Sequence, residues 1–134
     1  MKRLEFGLKA AFDAEPLEDG INHPAEEIIG EALRSVDRSH ILVWLKALSV
    51  DIEHPGLSAS VLRCLGRRRP GTSAWRAGVV RAALGAADVE MRDAAVQAAE
   101  SWGGTEIRDV LRGHVEEVSW LRAYIQDIVD DLEA

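Results

Sequence analysis

Residues 88–103 read Asp88-Val89-Glu90-Met91-Arg92-Asp93-Ala94-Ala95-Val96-Gln97-Ala98-Ala99-Glu100-Ser101-Trp102-Gly103, and this stretch decides the fold. The Asp88 carboxylate can accept the unpaired N–H groups of a first helical turn. Val89 to Trp102 contain neither proline nor glycine, so a helix over 89–102 is expected, stopped by Gly103-Gly104. Its alanines let a neighbouring helix axis come to within about 8 Å, the near end of the usual range. The stretch also has echoes elsewhere in the chain. Asp51-Ile52-Glu53-His54 precedes Asp88-Val89-Glu90-Met91 by 37 residues, and on the same offset Ala59 meets Val96, Leu65 meets Trp102 and Gly66 meets Gly103. His23-Pro24 precedes His54-Pro55 by 31 residues, and Arg92 precedes Arg122 by 30. Each period brackets one helix–turn–helix pair.

Working outward, apolar spacing and punctuation mark six more helices. The first covers 24–36, capped by Asn22 or His23, with Pro24 at its first position and a stripe of Ile28, Ile29, Ala32, Leu33 and Val36. The next covers 39–49, capped by Ser39. Its run Ile41-Leu42-Val43-Trp44-Leu45 is apolar on all sides, which predicts a central buried helix. Helices over 55–66, 73–85, 105–114 and 119–133 follow, with Pro55 just inside one start, and Thr72 or Ser73, and then Thr105, as caps. The last carries Leu121, Ile125, Ile128, Val129 and Leu132 as its core stripe. Residues 1–20 are weakly patterned and punctuated by Pro16 and Gly20. Phe6, Leu8 and Phe12 are candidates for an N-terminal lid, with no helix assigned to them.

The segment from Asp88 to Ala99, ending in Gly103, resembles the first-helix pattern of the HEAT-repeat family. It has an Asp, an Arg four residues on, then small apolar residues. The resemblance covers about residues 22–133. It implies an all-α fold, a short right-handed α-solenoid of about three HEAT-like antiparallel helix pairs (24–49, 55–85, 89–114) plus a C-terminal capping helix. The domain division expected is an N-terminal extension or cap over 1–21 and the helical repeat domain over 22–134. In that family the Asp and Arg tend to form a hydrogen-bonded ladder, and only Asp88 and Arg92 fit both places. Terminal repeats need a polar outer side, which Asp127, Asp130, Asp131 and Glu133 would supply here. The family's pattern says little of function.

The chain has 134 residues and a net charge of −7, which suits one domain with a real core. Its apolar share of 47% and charged share of 29% are those of a globular chain. Charge is unevenly spread. Residues 1–53 hold 11 acidic and 6 basic side chains, residues 54–87 six arginines and no acid, and residues 88–134 12 acidic and 4 basic. The sharpest basic feature is Arg67-Arg68-Arg69-Pro70-Gly71. One reading is an anion contact, for phosphate, nucleic acid or an acidic partner. The other is charge at a helix C-terminus, where the dipole and free carbonyls favour cations. The acids Glu116, Glu117, Asp127, Asp130, Asp131 and Glu133 likewise have two readings: a phosphate-mimicking surface for a basic partner, or the solvated face of a capping helix.

Catalytic constellations are missing from the sequence. His23, His40, His54 and His114 form no HExxH and no zinc-spaced set with cysteine, so neither metal nor cofactor is expected. His23 and His54, each before a proline, are expected to cap helix starts. Cys64 lies among Val61, Leu62 and Leu65 and reads as a buried, inert thiol; as the lone cysteine it points to a cytosolic location. No apolar run approaches the ~20 residues of a membrane span, and an acidic chain is a poor nucleic-acid binder. Trp44 is expected in the core. Trp102 closes the 89–102 helix, and Trp120 and Tyr124 lie one turn apart on the last. If one tryptophan is an exposed interface anchor, Trp75, beside Arg76, is the candidate; its other reading is core.

This profile points to a non-catalytic protein-binding module. The second helix of each pair and its adjoining loops would grip the partner. Small size, acidity and the lack of catalytic groups suit an inhibitor or immunity protein, of antitoxin type, that neutralises a toxin such as a basic nuclease by direct binding. The alternatives are a small HEAT-like ligand-handling or lyase-like protein, since repeats of this type resemble those of bilin lyases, and a subunit of a larger complex.

Overall fold

In a computed structural model that describes residues 2–15, 17–18, 22–35 and 37–133 (the side chains of Lys2 and Arg3 excepted), every regular element is a helix. Pro16, Gly20 and Val36 lie outside the described residues. The order is α1 Lys2–Ala14, α2 Pro24–Leu33, α3 Arg38–Ser49, α4 Pro55–Gly66, α5 Ser73–Leu84, α6 Val89–Trp102, α7 Thr105–Gly113 and α8 Ser119–Glu133.

The starts follow local chemistry. His23 caps α2: its Nδ1 accepts from the Ala25 N–H at 3.0 Å, while its own N–H donates to Glu26 Oε2 at 2.7 Å, closing a capping box. Its Nε2 lies 2.8 Å from the Glu15 carbonyl, so the tautomer protonated at Nε2 satisfies both ring nitrogens. Thr72 and Asp88 cap α5 and α6 through the N–H groups of Trp75 and Met91. Two expected caps are corrected, and a third holds its place without a capping bond. Ser39 lies inside α3, whose N-cap is Asp37 with no side-chain capping bond. Gly104, at φ 93°, precedes α7 in place of Thr105. His54 is the N-cap residue of α4 but makes no side-chain capping bond; its Nδ1 instead meets Asp51 Oδ2 at 2.9 Å, and that hydrogen bond holds the Asp51 carboxyl below its usual range. α2 ends at Leu33, short of 36, because the Ser35 hydroxyl and N–H both turn back onto the Ala32 carbonyl.

Alternate helices pack on one another. α2, α4, α6 and α8 form one row, α3, α5 and α7 a second, and α1 lies against α2 and α4. The α4–α6 contact is the most extensive. Gly66 makes it possible, since a Cβ there would lie 3.0 Å from Ala98 Cα. Ala94, Ala95, Ala98 and Ala99 of α6 are all buried. Gly103, at φ 65°, stops α6 in a conformation that side chains resist.

The apolar run at 41–45 is not buried all round. Ile41 and Leu45 face the core and Trp44 packs half-buried against it, but Val43 is 70% exposed. α3 touches α2, α4 and α5 on its inner side and has no described neighbour outside. At the N-terminus Leu8 is fully buried and Phe12 stacks on the His23 ring at 5.1 Å, whereas Phe6 points away. Two of the three lid candidates therefore pack.

Candidate partner-binding surface

The basic turn between α4 and α5 faces inward on its neighbours. Arg67 pairs with Glu26 Oε2 at 2.9 Å and donates to the Glu18 carbonyl. The Arg68 guanidinium lies over Gly30 and donates to the Glu26 carbonyl at 3.1 Å. Arg69 donates at 2.9 Å to the carbonyl of Trp102, the last residue of α6, and the Trp102 indole N–H returns a bond to the Arg68 carbonyl. The turn thus ties the start of α2 to the end of α6. Cations at a helix C-terminus are favoured by its dipole, but the helix served by Arg69 is a neighbour, not its own.

A second set of arginines does related work. Arg76 donates to the carbonyls of Pro70 and Gly71, six and five residues back. Arg92 donates to Ala86 and Ala87 at the same two offsets, and Arg122 to Glu116, again six back. Each sits one turn into its helix and folds over the loop before it. The Arg92–Arg122 spacing was visible in the sequence; Arg76 shares the role at a different spacing.

Arg92 also binds Glu116, through Nε at 2.9 Å and a second nitrogen at 3.1 Å. Asp88 is occupied as a cap, so Arg92 does not pair with it. His114 Nε2 lies 2.9 Å from Glu116, and the Val118 N–H donates to it at 3.0 Å. The Glu116 side chain is only 2% exposed. Its burial by itself favours the neutral acid, but these hydrogen bonds and the Arg92 charge prevail and hold the carboxyl down at about 2. Glu116 is therefore no part of a solvated acidic surface. It is a buried anchor between α6 and the loop leading to α8.

The other acids of this region remain outside. Glu117, Asp127, Asp130, Asp131 and Glu133 are exposed. Asp130 accepts from Gln126 at 2.9 Å, and Glu133 pairs with Arg112. Glu117, Asp127 and Asp131 have no hydrogen-bonding or ionic partner among the described residues. Leu121, Ile125, Ile128 and Val129 turn inward, so Trp120, Tyr124, Asp127 and Asp131, spaced four, three and four apart, share one flank of α8. Trp120 is 56% exposed. The Tyr124 hydroxyl donates to Glu100 Oε1 at 2.8 Å, which joins the flank to α6. Further along α6, Glu90 and Asp93 hold Arg63 at 3.0 and 3.5 Å.

Trp120, not Trp75, is thus the exposed tryptophan. Trp75 is half-buried against the core, its ring beside Gly71. The sequence held the signal, because Trp120 lies off the Leu121-Ile125-Ile128 stripe. Cys64 is 1% exposed, and burial pushes its thiol up to about 12, so thiolate chemistry is closed to it in the folded chain. Among the described residues no group of three or more His, Cys, Asp or Glu could hold a metal ion, and no helix is long and apolar enough to cross a membrane. Comparison of the chain with protein-family models, curated proteins and solved structures finds no match.

Proposed function

We propose that the chain is a non-catalytic protein-binding module, a short right-handed α-solenoid of HEAT type that docks a basic protein on the flank of α8. Its role would be that of an inhibitor or immunity protein, neutralising a toxin such as a basic nuclease. The two rows of alternating helices support the solenoid reading. The observation that carries the docking surface is the pairing of an exposed Trp120 with Asp127 and Asp131, two carboxylates that nothing within the described chain neutralises. An aromatic side chain that gives up water on contact is the usual energetic centre of an interface, and unpaired like charges around it steer an opposite surface into register. The arginines at 67–69 support a scaffold role instead, since each already donates to a backbone or carboxylate acceptor.

The test is capture from lysate by immobilised protein, run at low and high salt and repeated with a Trp120→Ala/Asp127→Asn/Asp131→Asn variant. The expected result is a stoichiometric basic protein, released as salt rises and not held by the variant. Equal retention by the variant would overturn the surface. Retention of nucleic acid would overturn the choice of partner and return attention to Arg67–Arg69.

A further inference from the structure

At the end of the molecule opposite α8, helices α1 and α3 both lean on α2 without making a contact surface of their own. They leave an open cleft of about 730 Å³ between them. Its floor is apolar, formed by Leu4 of α1, Ile28 and Ala32 of α2, and Ile41 of α3. Its rim is polar and acceptor-rich: Glu31, Ser35, Asp37 and His40. The Ser35 hydroxyl already donates to the Ala32 carbonyl at 2.7 Å, which leaves its lone pairs to the cleft. Glu31 and Asp37 have no cationic partner among the described residues.

Size and charge together limit what fits. The residues of α2 that line it, Ile28 to Ala32, span about 6 Å along the axis at the rise of an α-helix. That length is about one turn, too short to seat a partner helix, whereas the volume lies in the range of small-molecule sites, which are largely apolar with a few placed polar groups. Two carboxylates over an apolar floor complement a cation and repel an anion. We infer that the α1–α2–α3 cleft binds a small amphiphilic cation, with an apolar body against Ile28, Ala32 and Ile41 and an amine or amidine end between Glu31 and Asp37. The inference does not depend on the α8 surface.

Calorimetric titration of the intact protein with 1-naphthylmethylamine, and with 1-naphthylacetate as a control of like body and opposite charge, tests it. Isoleucine methyl NMR reports the location. The amine should bind and shift the Ile28 and Ile41 methyls, and the acetate should not. A Glu31→Gln/Asp37→Asn variant, altered only at exposed positions, should fold normally and weaken the amine about tenfold, the effect of losing two exposed ion pairs. Ala32→Trp, which fills the floor, should abolish binding with an unchanged far-UV spectrum. Equal binding of both probes, no binding, unmoved Ile28 and Ile41 methyls, or an unchanged affinity in the double variant would each overturn the inference. A dimer dissociated by Ala32→Trp, with no amine binding to the wild type, would make the cleft a contact between copies and overturn it too.

Discussion

The turn at Arg67–Arg69 and the flank of α8 each gather charge of one sign, and tertiary contact treats them in opposite ways. The arginines lie between the start of α2 and the end of α6, where Glu26 and the carbonyls of Glu18, Glu26 and Trp102 each accept from one of them. The aspartates of α8 lie on an outer flank with solvent on one side, and Asp127 and Asp131 meet no partner there. Each carries charge of a single sign in sequence. The supply of complementary groups within reach differs. A cluster becomes part of the scaffold where acceptors or donors converge on it, and stays available where they do not.

Glu116 sharpens this contrast most, because it belongs to the acidic cluster by sequence and to the scaffold by contact. Arg92→Ala would strand its carboxylate in the interior, and the expected loss is about 3–5 kcal/mol in urea or thermal unfolding. An Arg92→Met/Glu116→Leu pair should recover most of that, since an uncharged core needs no partner. The pH dependence has a definite sign. The folded pKa, about 2, lies below the ordinary 4.5, so this stabilisation is complete above about 4.5 and disappears as pH falls through 4.5 toward 2. An acid limb of unfolding unchanged by Arg92→Ala would break the assignment.

Trp120→Ala addresses the available side. It should weaken binding of a basic partner by about 2 kcal/mol or more while changing stability by less than about 0.5 kcal/mol. A large drop in Tm would show that Trp120 supports the fold instead. Arg67→Ala should do the reverse, costing about 1–2 kcal/mol of stability through lost hydrogen bonds while leaving partner retention unchanged. The smallest expected effect belongs to Asp127→Asn/Asp131→Asn. It should slow association by about two- to fivefold, flatten the salt dependence of the on-rate in stopped-flow traces, and leave the unfolding midpoint in place.

Some of this was legible before any coordinates. Pro24, Pro55, Thr72, Asp88 and Gly103 placed helix boundaries because their effects are local: a fixed φ, a side chain that reaches three residues on, a permissive backbone. Ser39 and Thr105 misled because each has the composition of a cap while another residue holds the position, and His54 holds the position but spends its ring nitrogen on Asp51. The run at 41–45 misled for a different reason. An all-round apolar helix fixes no buried face, and Val43 is exposed simply because α3 has no described helix on its outer side. At the surface, Asp127, Asp130 and Asp131 were correctly placed outside the Leu121-Ile125-Ile128 stripe. Glu116 was not, since it precedes α8 and no periodicity governs it.

What the sequence determined by itself is the helical class, the extent of seven of the eight helices to within a few residues, and the inward stripe of α8. Apolar spacing and end signals act within a dozen residues, and a chain read alone contains them in full. Only the tertiary structure decided which charges are taken up. Arg69 finds its acceptor 33 residues away, Arg67 finds Glu26 at 41, and Arg92 finds Glu116 at 24. Such pairings depend on which helix ends are brought together, and desolvation at those meeting points turns a charge into an anchor. Where no end arrives, as along Trp120, Asp127 and Asp131, the same residue types remain open to a partner.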